Sequence, residues 1–241
     1  MCLIVFAWQV IPGTPLIAAG NRDEFYERPA LPADWWDDCP QIYAGRDLRG
    51  GGTWMGVTRD GRFAAITNIR APSERRPDAP TRGRLVADYL SGDEAPQDYV
   101  DRIAPDAGKF NGFNLLVGNR EQLIWYSNAR IDDPRNGKPL VPGVYGLSNA
   151  TLDTPWPKVV RTKAQFGSLL CQGAPEEAYF DMLADTTRPS DCRLPRTGFS
   201  IEWERLLSPV CIESPDYGTR ASTLVRLPEN GDVVLRERPI R

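Results

Sequence analysis

Residues 1–24 read MCLIVFAWQVIPGTPLIAAGNRDE, and this stretch decides the fold that we predict. Residues 3–10 and 15–20 are apolar and β-prone, and the Pro-Gly pair between them is typical of a tight turn. We therefore predict a hairpin that opens the protein, with Cys2 at the tip of its first strand. The polar segment Asn21–Glu24 follows the second strand, so the hairpin returns it to a position beside Cys2.

Cys2 has the chemistry of an N-terminal nucleophile. Its small side chain permits removal of Met1, which would leave a cysteine that carries both a thiol and a free α-amine. An α-amine titrates near 7.7–8.0, so it can accept the proton of its own thiol close to neutral pH. The alternative interpretation is an inert terminal thiol, because many proteins begin with Met-Cys.

The sequence contains no histidine. This excludes Ser-His-Asp and Cys-His mechanisms, imidazole acid–base chemistry and every metal site with a histidine ligand. An enzyme acting near neutral pH would take its base from a carboxylate, a lysine, a tyrosine, a thiolate or an α-amine. We predict no metal site, since the five cysteines are odd in number and have no C-x-x-C spacing. Such usage is typical of reduced cysteines in the cytoplasm.

Composition predicts a single domain that spans residues 1–241, with 41% apolar residues to form its core. The formal net charge is -3, so we do not expect a nucleic-acid-binding surface. The apolar run at the amino end has no basic residue before it and stops at Pro12-Gly13. We therefore expect no signal peptide and no membrane-spanning segment, and predict a cytoplasmic protein. The oligomeric state is left open.

Turn residues and apolar periodicity predict the remaining elements. Further hairpins are expected at Thr53–Thr58 with Arg62–Thr67, Phe113–Gly118 with Gln122–Ser127, and Ser222–Leu227 with Asp232–Arg236. Helices are expected at Leu85–Leu90, Ala95–Ile103, Pro175–Leu183 and Glu202–Leu207, and from Pro155 to Leu170 after the candidate caps Asp153 and Thr154. Hairpins around a central group of helices predict an α+β fold of two antiparallel sheets with helices outside them. Residues 70–84 and 186–198 are expected to be surface loops, the second with a lid as the alternative.

Short motifs run in order from the first predicted strand to the last: Met1–Ile4, Asn21–Glu24, Ala44–Asp47, Gly51–Val57, Ala65–Arg70, Tyr145–Asn149, Asp153–Lys158 and Tyr217–Thr223. Together these motifs resemble the NRDE family, whose eukaryotic members are called transport and Golgi organisation proteins. More distantly, the arrangement is similar to choloylglycine hydrolases and penicillin V acylases of the N-terminal nucleophile superfamily. The resemblance implies a four-layer αββα sandwich, with two antiparallel sheets flanked by helices.

The resemblance also implies a set of catalytic residues. The nucleophile would be Cys2, its positioning and activating groups Arg22 and Asp23, its oxyanion donors Asn68 and Asn149, and its late-strand arginine Arg220. One neutral amide donor at an oxyanion is worth about 10²–10³ in rate.

Each supporting role has a structural alternative. Asn68 would bond a neighbouring backbone, Asn149 would shape the loop before the long helix, and Arg220 would pair with Asp23 or Glu24. The acylases space the roles of Arg22 and Asp23 differently, so the residue that contacts the α-amine, Glu24 included, is left open.

Five further residues are candidates for substrate binding. Asn21 and Glu24 lie beside the predicted nucleophile, and Trp35, Trp36 and Trp54 would line an apolar pocket. For Trp54 and Trp125 core packing is the favoured alternative, whereas Trp35-Trp36 is predicted in a polar loop. The run Gly50–Gly52 lacks the phosphate-loop pattern, and we predict a close backbone approach or a bulge there.

Two functions are compatible with these residues. The first is an amidase-type hydrolase of non-peptide carbon–nitrogen bonds, or a related acyl-transfer enzyme, that acts through an acyl-thioester on Cys2 without a required cofactor. The alternative, implied by the resemblance, is a non-catalytic carrier of haem, an acyl lipid or acyl-coenzyme A. Without histidine, haem iron would need a ligand such as Cys39 or Cys2. Either way, the partner is a small amphipathic molecule.

Overall fold

Two antiparallel sheets form the centre of the protein in a computed structural model that describes residues 2–129 and 132–241. The five-stranded sheet contains β1 (Cys2–Ile11), β2 (Thr14–Phe25), β10 (Gly143–Leu147), β11 (Tyr217–Leu227) and β12 (Val234–Pro239), in the order β10-β1-β2-β11-β12. The seven-stranded sheet contains β3 (Ala30–Trp36), β4 (Cys39–Asp47), β5 (Met55–Thr58), β6 (Phe63–Asn68), β7 (Phe113–Gly118), β8 (Leu123–Ser127) and β9 (Lys138–Pro139), in sequence order.

Helices cover the outer face of each sheet. The α-helices are α1 (Gly83–Ser91), α2 (Pro96–Ile103), α3 (Pro157–Gln172), α4 (Glu176–Leu183) and α5 (Ile201–Leu206), and short 3-10 helices lie at Pro72–Glu74, Ala104–Lys109 and Asp191–Arg193. Helices α1 and α2 pack on the seven-stranded sheet, and α3 and α4 pack on the five-stranded sheet. The predicted α+β fold, an αββα sandwich, is confirmed.

Strand β1 is apolar at successive positions because both of its faces are buried. Side chains alternate along a strand, so Ile4 and Phe6 enter the core between the sheets, whereas Leu3 and Val5 pack with α3 and α4. All four of these side chains are fully buried. This double burial fixes the register of β1 and therefore the position of Cys2.

The predicted hairpins and helices all form, with boundaries that differ by a few residues. The prediction for Trp35-Trp36 was wrong, because these residues end an edge strand, β3, that pairs with β4. Pro32 and Asp34 make β3 hard to recognise as a strand, and both are tolerated because an edge strand needs only one hydrogen-bonded side.

The predicted caps of α3 were also wrong. The helix begins at Pro157 after an extended Trp156, and Asp153 has a left-handed φ of 59°. The Asp153 carboxylate instead accepts hydrogen bonds from the Gly146 nitrogen at 3.0 Å and from Lys163 Nζ at 2.7 Å. It therefore ties the loop before α3 to both β10 and the helix.

The glycine run before β5 makes the close backbone approach that its sequence predicts. A Cβ added to Gly52 would overlap the backbone carbonyl of Gly83 at the start of α1. The segments 70–84 and 186–198 are mainly loops, apart from two single-turn helices and the start of α1. The two segments meet where Gly198 approaches the Pro72 ring.

In residues 2–129 and 132–241, no helix has the length and apolarity needed to cross a membrane. The cytoplasmic location stays a prediction.

Candidate active site

Cys2 lies at the floor of a large cleft. It is only 7% exposed, yet it contributes to the cleft wall. The hairpin register places Cys2 opposite Arg22, and Ser148 Oγ donates a hydrogen bond to the Cys2 carbonyl oxygen at 3.0 Å. Burial raises the pKa of the Cys2 thiol, and the charge of Asp23 acts in the same direction, whereas Arg22 opposes it. The thiol is therefore protonated at neutral pH in this state.

Asp23 is buried directly beside Cys2 and is 1% exposed. Its Oδ1 accepts a hydrogen bond from Thr219 Oγ1 at 2.7 Å, across the pairing of β2 with β11. Burial raises the pKa of Asp23, while Lys158, Thr219 and Arg70 each favour its ionised form. The carboxyl group therefore depends on its neighbours to remain charged.

A buried group of four charged residues stands behind the thiol. Lys158, in the first turn of α3, is 3% exposed and donates to the Leu207 carbonyl oxygen at 3.1 Å. The Arg70 guanidinium pairs with Glu204 at 2.6 Å, with both side chains almost fully buried, and it stacks on the Trp156 ring. With Asp23 the group holds two positive and two negative charges, so its charges compensate each other.

The two predicted oxyanion donors lie together but differ in their availability. Asn149 is 1% exposed, and its Nδ2 donates to the Asn68 carbonyl oxygen at 2.9 Å. Asn149 Oδ1 accepts a hydrogen bond from Ser148 Oγ at 3.3 Å. Both polar ends of the Asn149 side chain are therefore bonded within the protein. The Asn68 side chain lines the cleft and has no hydrogen-bond partner among the described residues. Its amide therefore remains available to a ligand.

Arg220 lines the cleft, and its guanidinium joins two backbone segments of the protein. Its Nη1 donates to the carbonyl oxygens of Phe25, Tyr26 and Arg28, the last at 2.8 Å, and its Nε donates to the carbonyl oxygen of Arg241 at 3.2 Å. The alternative of an ion pair with Asp23 or Glu24 is not observed among the described residues.

Some of the residues predicted to bind substrate line the cleft, and others lie outside it. Glu24 lines the cleft, and its carboxylate lies 3.9 Å from the Arg28 guanidinium. Asn21 is fully buried and lies outside the cleft, where Nδ2 donates to the Leu183 and Val210 carbonyl oxygens at 2.8 and 2.9 Å. Asn21 therefore joins β2 to the helical layer.

Only Trp54 of the three predicted tryptophans lines the cleft, where it is 8% exposed. Trp36 packs in the core with the Arg46 guanidinium over its ring, and Trp35 packs against Tyr43. Trp125 is a core residue, in agreement with its favoured interpretation, and its Nε1 donates to Asn114 Oδ1.

The cleft has a volume of about 920 Å³ and is strongly basic. Ten arginines line it against four acidic residues, although the whole chain carries a net charge of -3. Three of these arginines have a carboxylate partner, namely Arg28, Arg46 and Arg49, so seven have none at ion-pair distance among the described residues. The charge of the cleft is therefore largely uncompensated.

Sequence reasoning missed four charged residues of this site, namely Lys158, Arg70, Glu204 and Arg82. Lys158 and Arg70 occur in motifs that carry the family resemblance, which was a usable signal, but neither was given a role. Arg82 lies in a segment predicted to be a solvated loop, and nothing in its sequence distinguishes it. Its Nη1 donates to the Gly112 carbonyl oxygen at 2.9 Å, and its charge interacts with the Glu24 carboxylate and would favour a thiolate at Cys2. Burial lowers the pKa of Arg82 to about 10, so it stays charged at neutral pH.

The described residues contain no cluster of three or more cysteine or acidic side chains that could hold a metal ion. Cys39 packs beside the core and does not line the cleft. One haem bound in the cleft could therefore contact Cys2 but not Cys39.

Two antiparallel sheets between helical layers are the arrangement of the N-terminal nucleophile hydrolase fold. A Caenorhabditis elegans N-acylethanolamine-hydrolyzing acid amidase (NAAA) ortholog is similar in structure, with a TM-score of 0.52 and 12% sequence identity over 96% of this chain and 94% of that chain.

The chain belongs to the Transport and Golgi organisation 2 family, whose sequence pattern matches residues 1–241. It is 34% identical to the Bos taurus Transport and Golgi organization protein 2 homolog over 99% of this chain and 92% of that protein. The corresponding Homo sapiens homolog is 33% identical over the same shares of the two chains.

Proposed function

We propose that the protein is a hydrolase of non-peptide amide bonds, or a related acyl-transfer enzyme, with Cys2 as its N-terminal nucleophile. The observation that carries this proposal is the position of Cys2 at the floor of the cleft, with Arg22 and Asp23 beside it and the Asn68 amide in the same wall. With no histidine in the chain, the α-amine of Cys2 is the base that lies nearest to its own thiol.

In this proposal, removal of Met1 frees the α-amine, which takes the thiol proton. The sulfur attacks the amide carbonyl carbon, and the electron pair of the carbonyl bond moves onto its oxygen, where Asn68 Nδ2 donates a hydrogen bond. As the carbon–nitrogen bond breaks, the α-ammonium returns the proton to the departing amine. The product is an acyl-thioester on Cys2.

Hydrolysis of the thioester completes the cycle. The same α-amine takes a proton from water, and the oxygen of that water attacks the thioester carbonyl carbon. The carbon–sulfur bond then breaks, the sulfur is protonated again, and a carboxylic acid leaves. Arg22 and Asp23 are the candidates to hold the thiolate and the α-ammonium, respectively.

The proposal is tested first by the intact mass of the protein and by fragmentation of its N-terminal peptide. We expect a chain that begins at Cys2. Amine release from a panel of N-acyl compounds is then compared for wild type, Cys2→Ala, Cys2→Ser and the control Cys39→Ala, which removes a thiol outside the cleft.

We expect loss of about 10³-fold or more in Cys2→Ala and near wild-type release in Cys39→Ala. Two results would refute the proposal: amine release by a chain that keeps Met1 quantitatively, or wild-type turnover by Cys2→Ala.

The size of the cleft favours carriage of an amphipathic ligand as a second candidate function. A volume of about 920 Å³ lies near the upper end of ligand pockets, which span roughly 300–1,000 Å³. Haem titrated into wild type, Cys2→Ala and Cys39→Ala tests one ligand of this class by its Soret spectrum. No Soret shift at micromolar haem would contradict the haem version, and a shift abolished by only one variant would identify the iron ligand.

A further inference from the structure

The arginines of the cleft have two distinct positions relative to Cys2. Arg22 and Arg82 are half-buried near the thiol, whereas Arg75 and Arg84 are exposed on the segment before and at the start of α1. Arg82 shares the cleft lining with Cys2, Arg75 and Arg84, and it lies near enough to Cys2 and Arg75 for the charges to interact. The cleft therefore carries positive charge from the thiol outward to its rim.

These cations form no ion pair with a carboxylate among the described residues. The charge of Arg82 is favoured by Glu24 and opposed by Arg75, and Arg84 interacts with Asp88, but no described carboxylate lies at ion-pair distance from any of the three arginines. The structure gives the Arg75 and Arg84 side chains no hydrogen bond or ion pair within its described ranges. A fold that keeps like charges together in a cleft gains stability when an anion enters between them.

The same cleft also offers apolar contact. Trp54 and Ile66 are nearly buried there, and Leu31 is half exposed nearer the rim. A ligand with an apolar chain and a charged end can contact both the apolar side chains and the arginines of the cleft.

We propose that the ligand of this cleft is an acyl conjugate with an anionic group, a carboxylate or a phosphate, which Arg82 binds together with Arg75 and Arg84. The guanidinium fork matches both anions in geometry, and a bidentate pair adds specificity as well as affinity. The acyl chain lies along Trp54 and Ile66, with the amide carbonyl carbon near Cys2 Sγ. The inference rests on the proposed function for this last contact only.

The test uses three probes that share one acyl chain. N-lauroylethanolamine is neutral, its O-phosphate carries the phosphate, and N-lauroylglycine carries a carboxylate. Binding is measured calorimetrically with full-length Cys2→Ala, so that turnover does not interfere, and is repeated at two salt concentrations. Turnover of each probe is measured separately with wild type by amine release.

We expect at least one anionic probe to bind about tenfold or more tightly than the neutral probe, with a preference that falls in high salt. Which of the two anions binds more tightly identifies the phosphate or the carboxylate as the natural group. In the Cys2→Ala background, Arg82→Met is expected to reduce the preference to about twofold.

The same measurement is made with Arg75→Met and Arg84→Met, whose side chains are exposed and have no hydrogen bond within the described protein. These variants keep the inference testable if Arg82→Met fails to fold. Arg102→Met removes the same charge from α2, outside the cleft, where Arg102 pairs with Glu94. This control is expected to keep the preference within about twofold of its parent.

Binding of all three probes within about twofold of each other, or of none of them, would overturn the inference. An unchanged preference in all three cleft variants would overturn the assignment of the arginines. Selective binding without turnover by wild type would instead refute the proposed hydrolase and leave this inference standing. Turnover of the neutral probe by wild type, with no binding preference for the anionic probes, would overturn this inference and leave the proposed hydrolase standing.

Discussion

Replacement of Lys158 by methionine is expected to change how the stability of the protein depends on pH. Lys158 is 3% exposed and lies in the first turn of α3, where the helix dipole disfavours a positive charge. Burial lowers the pKa of Lys158 from 10.5 to about 8, although Asp23 opposes the change.

The direction and size of the effect follow from proton linkage. Between pH 8 and 10.5 the unfolded lysine holds a proton that the folded lysine has lost, so stability rises with pH in this window. At about 1.36 kcal/mol for each tenfold change in protonation, the full effect is about 3.4 kcal/mol.

This linkage increases the stability of wild type relative to Lys158→Met as pH rises. We expect the difference in the free energy of unfolding to grow by about 3 kcal/mol between pH 7.5 and 10.5. Urea titrations followed by tryptophan fluorescence at four pH values measure it, and Lys163→Met controls for the loss of a lysine from the same helix. A difference that stays constant within about 0.5 kcal/mol would refute the buried, charge-coupled position of Lys158.

Gly52→Ala is expected to lower the free energy of unfolding by about 2 kcal/mol, because the added methyl group would overlap the Gly83 backbone; an unchanged urea midpoint would contradict that contact. Asn21→Ala is expected to lower the melting temperature while the folded protein keeps its rate of Cys2 alkylation by iodoacetamide, since Asn21 bonds carbonyl groups outside the cleft. A well-folded sample with an altered alkylation rate would argue for a role in the site. Arg70→Met is expected to cost about 3–5 kcal/mol by leaving Glu204 buried without its cation, and Glu204→Gln in the same chain should recover part of this loss; no recovery would argue against the pair.

The elements that the sequence predicted correctly are those with local signals. The opening hairpin has apolar strands around a Pro-Gly turn, and Gly13 adopts the left-handed φ of 73° that such a turn favours. Arg22 and Asp23 could be assigned to the site because a hairpin returns its second strand to the residue that began the first.

The parts that sequence reasoning missed depend on contacts between distant segments. Lys158 has the sequence context of an ordinary surface lysine, and only the packing of α3 against the five-stranded sheet buries it near Asp23. The position of Arg82 depends on the approach of Gly83 to Gly52, which no periodicity encodes. Asn149 and Asn68 were expected to act alike, and their different hydrogen bonds separate them.

Strand β1, which carries Cys2, depends on strands that lie far along the chain. Its neighbour β2 follows at once, whereas β10, on its other side, begins at Gly143, and β11, which covers the other side of β2 and supplies Thr219 to Asp23, begins at Tyr217. Until β10 and β11 have been synthesised, the hairpin of β1 and β2 therefore has no strand partner on either side. An enzyme that acts on the chain near Cys2 during translation meets this hairpin before the central sheet has formed around it.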